Sequence, residues 1–237
     1  MDAGRADVEA LNRLVCGGAR AVNEHPGDAG RLDDVIPKPW GFEFRVFADE
    51  YFDVWSLHIG PGHTTSMHAH PRKLTYLICL GGTGITAGLR SETAVGPGTI
   101  MRIAAGAFHA TRSTGGGPLQ LAEVEVPRNK LDLLRLSDSY RREGTGYEAW
   151  SRAVPDLPMR TARHRPNTRM RDRTPDGCYR FGLRTGMDIF YRRHPADICY
   201  IPLCMSGVTS GDVEIIAAVG GRAPDPNRTY LSITRAA

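Results

Sequence analysis

The chain has 237 residues, 41% hydrophobic and 24% charged, with a formal net charge of +4. That length suits one large domain, or one domain with a smaller appendage. No run of 18 apolar residues occurs, which excludes a helical membrane span. The N-terminus lacks the basic-then-apolar layout of a signal peptide, so a cytoplasmic location is expected by default.

In chain order, Val8, Leu11, Leu14 and Val15 recur at helical spacing before Gly17-Gly18. This predicts an amphipathic helix within residues 5–22, then a loop over 23–36. From Pro37 to about Val126 the pattern changes to short runs such as FEFRVF, FDVWSLHI, LTYLICL and LQLAEVEV, each closed by turn residues. Regular short strands without room for intervening helices predict an antiparallel sandwich or barrel. Residues 127–150 are polar and mixed. Arginines crowd Arg160, Arg163, Arg165, Arg169, Arg171 and Arg173. A solvated linker fits this stretch best. A lid attracting an anionic substrate is a further reading. Nucleic acid is not an expected partner, because interleaved aromatics and a binding motif are missing. Strand-like runs return at CYRFGL, DIFYRR, DICYIPL, VEIIAAV and TYLSIT. The predicted organisation is an N-terminal helix and loop (1–33), a barrel (34–145), an Arg/Pro-rich linker (146–176) and a C-terminal β extension (177–237).

Cys16, Cys79, Cys178, Cys199 and Cys204 are odd in number and show no CxxC spacing. They read as buried apolar thiols rather than disulfides or a zinc site. Only three of the 30 basic residues are lysines, Lys38, Lys73 and Lys130. The bias toward arginine reads as coding composition rather than mechanism.

The chemistry concentrates in Gly62–His70 and Gly98–His109. Residues two apart on a strand share a face, so His68 and His70 project together. Two imidazoles on one face suit a divalent ion, and a third ligand has to come from a neighbouring strand. His109, just after a glycine turn, is the candidate.

Together these stretches resemble the two cupin motifs. The first motif runs Gly, five residues, HxH, three or four residues, Glu, six residues, Gly; Gly62, His68, His70 and Gly81 or Gly82 match it. In the second, Gly98, Gly106 and His109 match, while Ala104 stands for Pro and Ser113 for Asn. The resemblance implies a mainly β fold, a cupin double-stranded β-helix (jelly-roll barrel), holding a divalent metal ion (Zn, Ni, Mn or Fe) on His68, His70 and His109. The first motif's glutamate is missing, since its place falls on Leu74 or Thr75. Glu43, Glu123 or Glu125 is expected to substitute, or else the centre is three histidines alone. Glu123 and Glu125 share one face of their strand, and Gln120 lies on the other.

The flanks resemble something narrower. Pro39-Trp40-Gly41 before the barrel and Asp138-Ser139-Tyr140-Arg141-Arg142 after it are similar to the cupin domain of type II mannose-6-phosphate isomerases and related sugar-nucleotide proteins. Arg141 stands where that pattern has Gly, and Lys73 and Thr75 stand in place of its arginine-x-glutamate. The resemblance implies a small-molecule carbohydrate substrate and an isomerase or epimerase reaction. Such a reaction needs an acid and a base beside the carbon. His58, His63, Glu43, Lys73, Tyr76 and Glu123 are the candidates. A three-histidine Fe(II) dioxygenase and a non-catalytic sugar-binding module are the alternatives. Barrel edges need cover, which a homodimer or the C-terminal strands would supply.

Overall fold

The computed structural model describes residues 1–22, 31–143, 157–203 and 214–236. Helix α1 spans Arg5–Cys16. Ten strands follow: β1 (Val35–Lys38), β2 (Gly41–Ala48), β3 (Asp53–Ile59), β4 (Met67–Ala69), β5 (Leu74–Gly81), β6 (Gly84–Ala87), β7 (Glu92–Val95), β8 (Ile100–Ile103), β9 (Ala110–Ser113) and β10 (Leu119–Val126). After them come β11 (Leu134–Ser137), β12 (Arg160–Ala162), β13 (Arg165–Met170), β14 (Tyr179–Thr185), α2 (Gly186–Tyr191), β15 (Asp197–Pro202), β16 (Ile216–Ala217) and β17 (Thr229–Arg235). Among the described residues, no helix is long and apolar enough to cross a membrane.

The fold is a double-stranded β-helix, mainly β as expected. One sheet runs β12-β13-β2-β3-β10-β5-β8, with β1 paired to β2. The facing layers are β7-β6-β9 and the pair β11-β4. Alternate residues of the large sheet enter different cores. Trp55, Leu57, Ile59, Leu77, Cys79 and Leu121 point into the barrel. Val54, Tyr76, Ile78, Leu80, Ala122 and Val124 point outward. The C-terminal sheet, β14-β17-β15-β16, covers that outer face with Tyr179, Phe181, Cys199, Ile201, Leu231 and Ile233. A fully buried apolar side chain contributes about 1.5–3 kcal/mol, so the covered face is a large part of the stability.

Five expectations change. Val8 and Val15 are 52% and 58% exposed; the buried side of α1 is Asp7 and Ala10, with Leu11 and Leu14 packed beside them. A hydrogen bond from the Phe108 N–H to the Asp7 carboxylate (2.9 Å) fixes that rotation. The loop expected over 23–36 ends early, because β1 begins at Val35 and pairs with β2; residues 23–30 lie outside the described residues. The arginine stretch is not a solvated linker where it is described. It forms the β12–β13 hairpin, and β13 satisfies the open edge of β2. Arg171 is buried and donates to the Arg45 carbonyl (2.9 Å). The DIFY part of DIFYRR is helical rather than extended. Thr185 caps α2 by accepting the Asp188 N–H, and Arg184 pairs with Asp188 at 2.6 Å. Finally, Cys79 and Cys199 are buried thiols, but Cys16 and Cys178 are exposed, on a helix end and a turn; Cys204 lies outside the described residues.

The Pro39-Trp40 pair forms a two-residue turn between β1 and β2, with Lys38 opposite Gly41. Gly41 has φ 145°, and a Cβ there would sit 1.9 Å from the His58 carbonyl oxygen. Only glycine tolerates both. The turn sends Lys38, Trp40 and Glu43 to one end of the barrel.

Candidate metal centre

His68 and His70 flank Ala69, whose side chain turns the other way against Ala10 and Phe108. An antiparallel bridge joins His68 to His109, with N–H···O distances of 3.0 and 2.8 Å. Gly106, at φ 79°, turns the chain before His109 and donates its N–H to the His70 carbonyl (2.8 Å). The three rings lie 4.4–5.4 Å apart, centroid to centroid.

Each ring is held through Nδ1. His68 Nδ1 lies 2.8 Å from the Ser66 carbonyl, His70 Nδ1 2.7 Å from that of Asp132, and His109 Nδ1 3.2 Å from that of Ala107. A carbonyl only accepts, so each Nδ1 carries the proton and each Nε2 presents a lone pair. Buried His70 Nε2 and His109 Nε2 have no hydrogen-bond partner. Burial, foremost, depresses the pKa of all three, which keeps them neutral. Convergent, unprotonated imidazoles cannot bond to one another. Their ligand atoms lie within 4.8 Å of each other, the donor set a divalent cation requires.

Acids from β10 adjoin them. His70, Glu123 and Glu125 form a second group whose potential ligand atoms lie within 4.8 Å of one another. Thr75, in the place of the motif's glutamate, faces Glu125 across the strands. A carboxylate thus lies one strand over from the motif position, at the same level of the barrel.

All three lysines of the chain are inside this barrel end. Lys73 is 2.9 Å from Glu125, and Lys38 is 3.4 Å from Glu43. Lys130 lies 2.9 Å from Glu123, 3.3 Å from Glu125 and 3.6 Å from Glu43, above the Trp55 ring at 4.4 Å. Burial alone would raise the Glu123 pKa, but the Lys130 ammonium pulls it down to about 2. Burial pushes Glu125 upward against the pull of Lys130 and Lys73. Burial also works against the Lys130 ammonium, yet Glu123, Glu125 and Glu43 hold its pKa well above the ordinary value.

Lys38, Glu43, His68, His70, Glu123 and Lys130 line a narrow pocket of about 40 Å³, with Trp40, Leu133, Arg135 and Arg142 around it. A wider cleft of about 370 Å³ beside residues 49–52 and 164–168 holds none of the three histidines.

Of the residues expected at the site, His68, His70, His109, Glu43, Glu123 and Lys73 come together. His63 stands at the exposed rim, its Nδ1 2.9 Å from the Tyr140 hydroxyl. His58 and Tyr76 do not join: both sit on the outer face, away from the histidines. Tyr76 packs into the core under the C-terminal sheet. His58 stacks on Phe42 at 4.5 Å and contacts Ser56 and Gln120. Strand parity separates them, since 58 and 76 are even while the inward residues of these strands are odd. Lys38, Lys130 and Arg135 were missed. The scarcity of lysine was the available signal, because the only lysines present are those the acids surround.

Burial lowers the His58 pKa to about 4, opposed by Asp176. The unfolded chain then binds more protons below the ordinary value of 6.5. The stability His58 contributes is complete above pH 6.5 and is lost as pH falls toward 4, by about 3 kcal/mol at the limit. Urea unfolding at pH 7.0 and 4.5 is expected to show a smaller acid loss for His58→Gln than for the parent. Equal losses would remove His58 from this account.

Residues 55–125 match the family model of the cupin domain. The mannose-1-phosphate guanylyltransferase of Sinorhizobium fredii (strain NBRC 101917 / NGR234) is 26% identical over 125 residues, 52% of this chain. The match covers 24% of that relative, so the chain spans about a quarter of its length. Among solved structures, the capsular polysaccharide assembling protein CapF of Staphylococcus aureus aligns with a TM-score of 0.40 and 16% identity, covering 44% of this chain and 34% of that one. KdgF of a Halomonas species aligns at 0.39 and 13%, covering 40% and 89%.

Proposed function

From the premise that this chain carries a cupin domain, we propose that it is a metal-dependent isomerase or epimerase acting on a sugar, sugar phosphate or aminosugar. The observation that carries the reading is the junction of two devices at one end of the barrel. Three neutral imidazoles with convergent Nε2 atoms adjoin the buried chain Lys38–Glu43–Lys130–Glu123. A divalent ion on the histidines would supply Lewis acidity to a substrate carbonyl. In this reading Glu43 takes a proton from the neighbouring carbon and returns it to the product, while the Lys130 ammonium holds Glu43 and Glu123 in position. Lys38, Lys130, Arg135 and Arg142 outnumber Glu43 and Glu123 around the pocket, which favours an anionic sugar. The similarity to a mannose-1-phosphate guanylyltransferase supports a carbohydrate ligand. The pocket admits only a few waters' volume, so the reacting end of the ligand enters and the rest stays at the rim.

Incubation of the metal-loaded protein with sugar phosphates in deuterated water is expected to exchange one carbon-bound hydrogen. Glu43→Gln should slow this about 10²–10⁴-fold with metal content retained. Metal-loaded protein that exchanges no hydrogen in any sugar tested would sink the reaction. The second reading, a three-histidine Fe(II) dioxygenase, is favoured by Thr75 in place of the motif's ligand, and oxygen uptake would identify it. A homodimer belongs to the same proposal. Among the described residues, β8 and β12 end the large sheet and offer edges for pairing.

A further inference from the structure

The turn that carries His109 is held from two sides. On one side are the backbone bonds to His68 and His70 described above. On the other lies the N-terminal segment, more than 90 residues away in sequence. The Met1 carbonyl accepts the Ala104 N–H at 2.9 Å. Leu11 lies so close to Gly106 that a Cβ there would be 3.2 Å from its Cδ1. Ala10, with Leu11 and Leu14, packs on Ala69 and Phe108, the neighbours of the ligand histidines.

One polar contact anchors this packing. Asp7 is 9% exposed and uses both carboxylate oxygens. Oδ2 accepts the Gly4 N–H at 2.8 Å, inside its own helix start. Oδ1 accepts the Phe108 N–H at 2.9 Å, one residue before His109. Without that oxygen the buried Phe108 N–H would need another acceptor, and the turn would relax to find it. A charged residue on the inner side of a short helix is costly unless it has such a task.

We infer that α1 is a clamp on the metal centre and that Asp7 is a positioning residue for His109, acting through the Phe108 amide. The inference rests on the histidine triad being a metal site. Its consequence is reciprocal: whatever tightens the helix tightens the metal, and metal binding tightens the helix.

The test uses the full chain and Zn(II) alone, in competition with a chromogenic chelator. Asp7→Ala is expected to weaken zinc binding about 10–100-fold, the range for groups that orient metal ligands. Asp7→Asn keeps an oxygen for the Phe108 N–H and should bind near wild type. A merely structural role would lower the melting temperature of both variants and leave zinc affinity unchanged. That outcome, or Asp7→Asn as weak as Asp7→Ala, overturns the clamp. Should Asp7→Ala not fold, hydrogen exchange on the wild type decides. Zinc must slow exchange of the α1 amides and of Phe108, and unchanged rates overturn the inference. Wild-type protein that binds no zinc or other divalent ion defeats both the clamp and the metal centre. Zinc binding that is indifferent to Asp7 defeats the clamp only.

Discussion

Replacing His70 with alanine is expected to abolish stoichiometric metal binding while the protein stays folded. His70 is shared by both potential ligand groups, the three histidines and the set with Glu123 and Glu125. Its loss therefore strips a donor from either form of the centre. The drop in affinity should exceed the ~100-fold that follows from disturbing an outer partner. Elemental analysis of purified parent and variant, with circular dichroism as the folding control, gives the answer. Equal metal content in the two proteins would mean that the ion, if bound, sits elsewhere. His109→Ala should behave alike, because its Nε2 is likewise a buried imidazole nitrogen without a hydrogen-bond partner.

The second large effect concerns Lys130. Three carboxylates lie within 3.6 Å of its ammonium, and Trp55 closes over it. Lys130→Met preserves most of the volume and removes the charge. The cost expected at neutral pH is about 3–5 kcal/mol, because Glu123 stays buried without its cation. Urea unfolding of the metal-free protein measures it. A loss below about 1 kcal/mol would show that water or neighbouring cations replace Lys130, in the range of a solvent-exposed pair. Replacing Glu123 by glutamine in the same chain should recover part of the loss, since the uncompensated charge is then gone.

Much of the barrel was legible, and the reason is local. The long strands end in turn residues, strand parity puts His68 and His70 on one face, and the later glycine-histidine stretch supplies His109 as the third candidate. Parity failed where both faces of a strand are buried. β2 and β3 are buried on both faces because the C-terminal sheet covers what would otherwise be a solvent face. Nothing in FDVWSLHI reveals that His58 looks outward. Which of Glu43, Glu123 and Glu125 lies nearest the motif's empty position was out of reach, since Thr75 and Glu125 become neighbours only through strand pairing. Arg141 is instructive in another way. It adopts φ 60°, the left-handed conformation suited to the glycine of the resembled pattern. The backbone turn is kept although the residue that favours it is absent, with Asp138 tying Tyr140 and Arg142 by their N–H groups (3.1 and 3.0 Å).

The placement of the lysines has a practical corollary. Their side chains are buried at 38, 73 and 130, so the native surface offers solvent a basic character made of guanidinium groups alone. Amine-directed labels, lysine-specific proteases and lysine-acetylating enzymes meet no accessible side-chain amine until the barrel opens. Lysine side-chain reactivity in this chain is thus a reporter of barrel integrity.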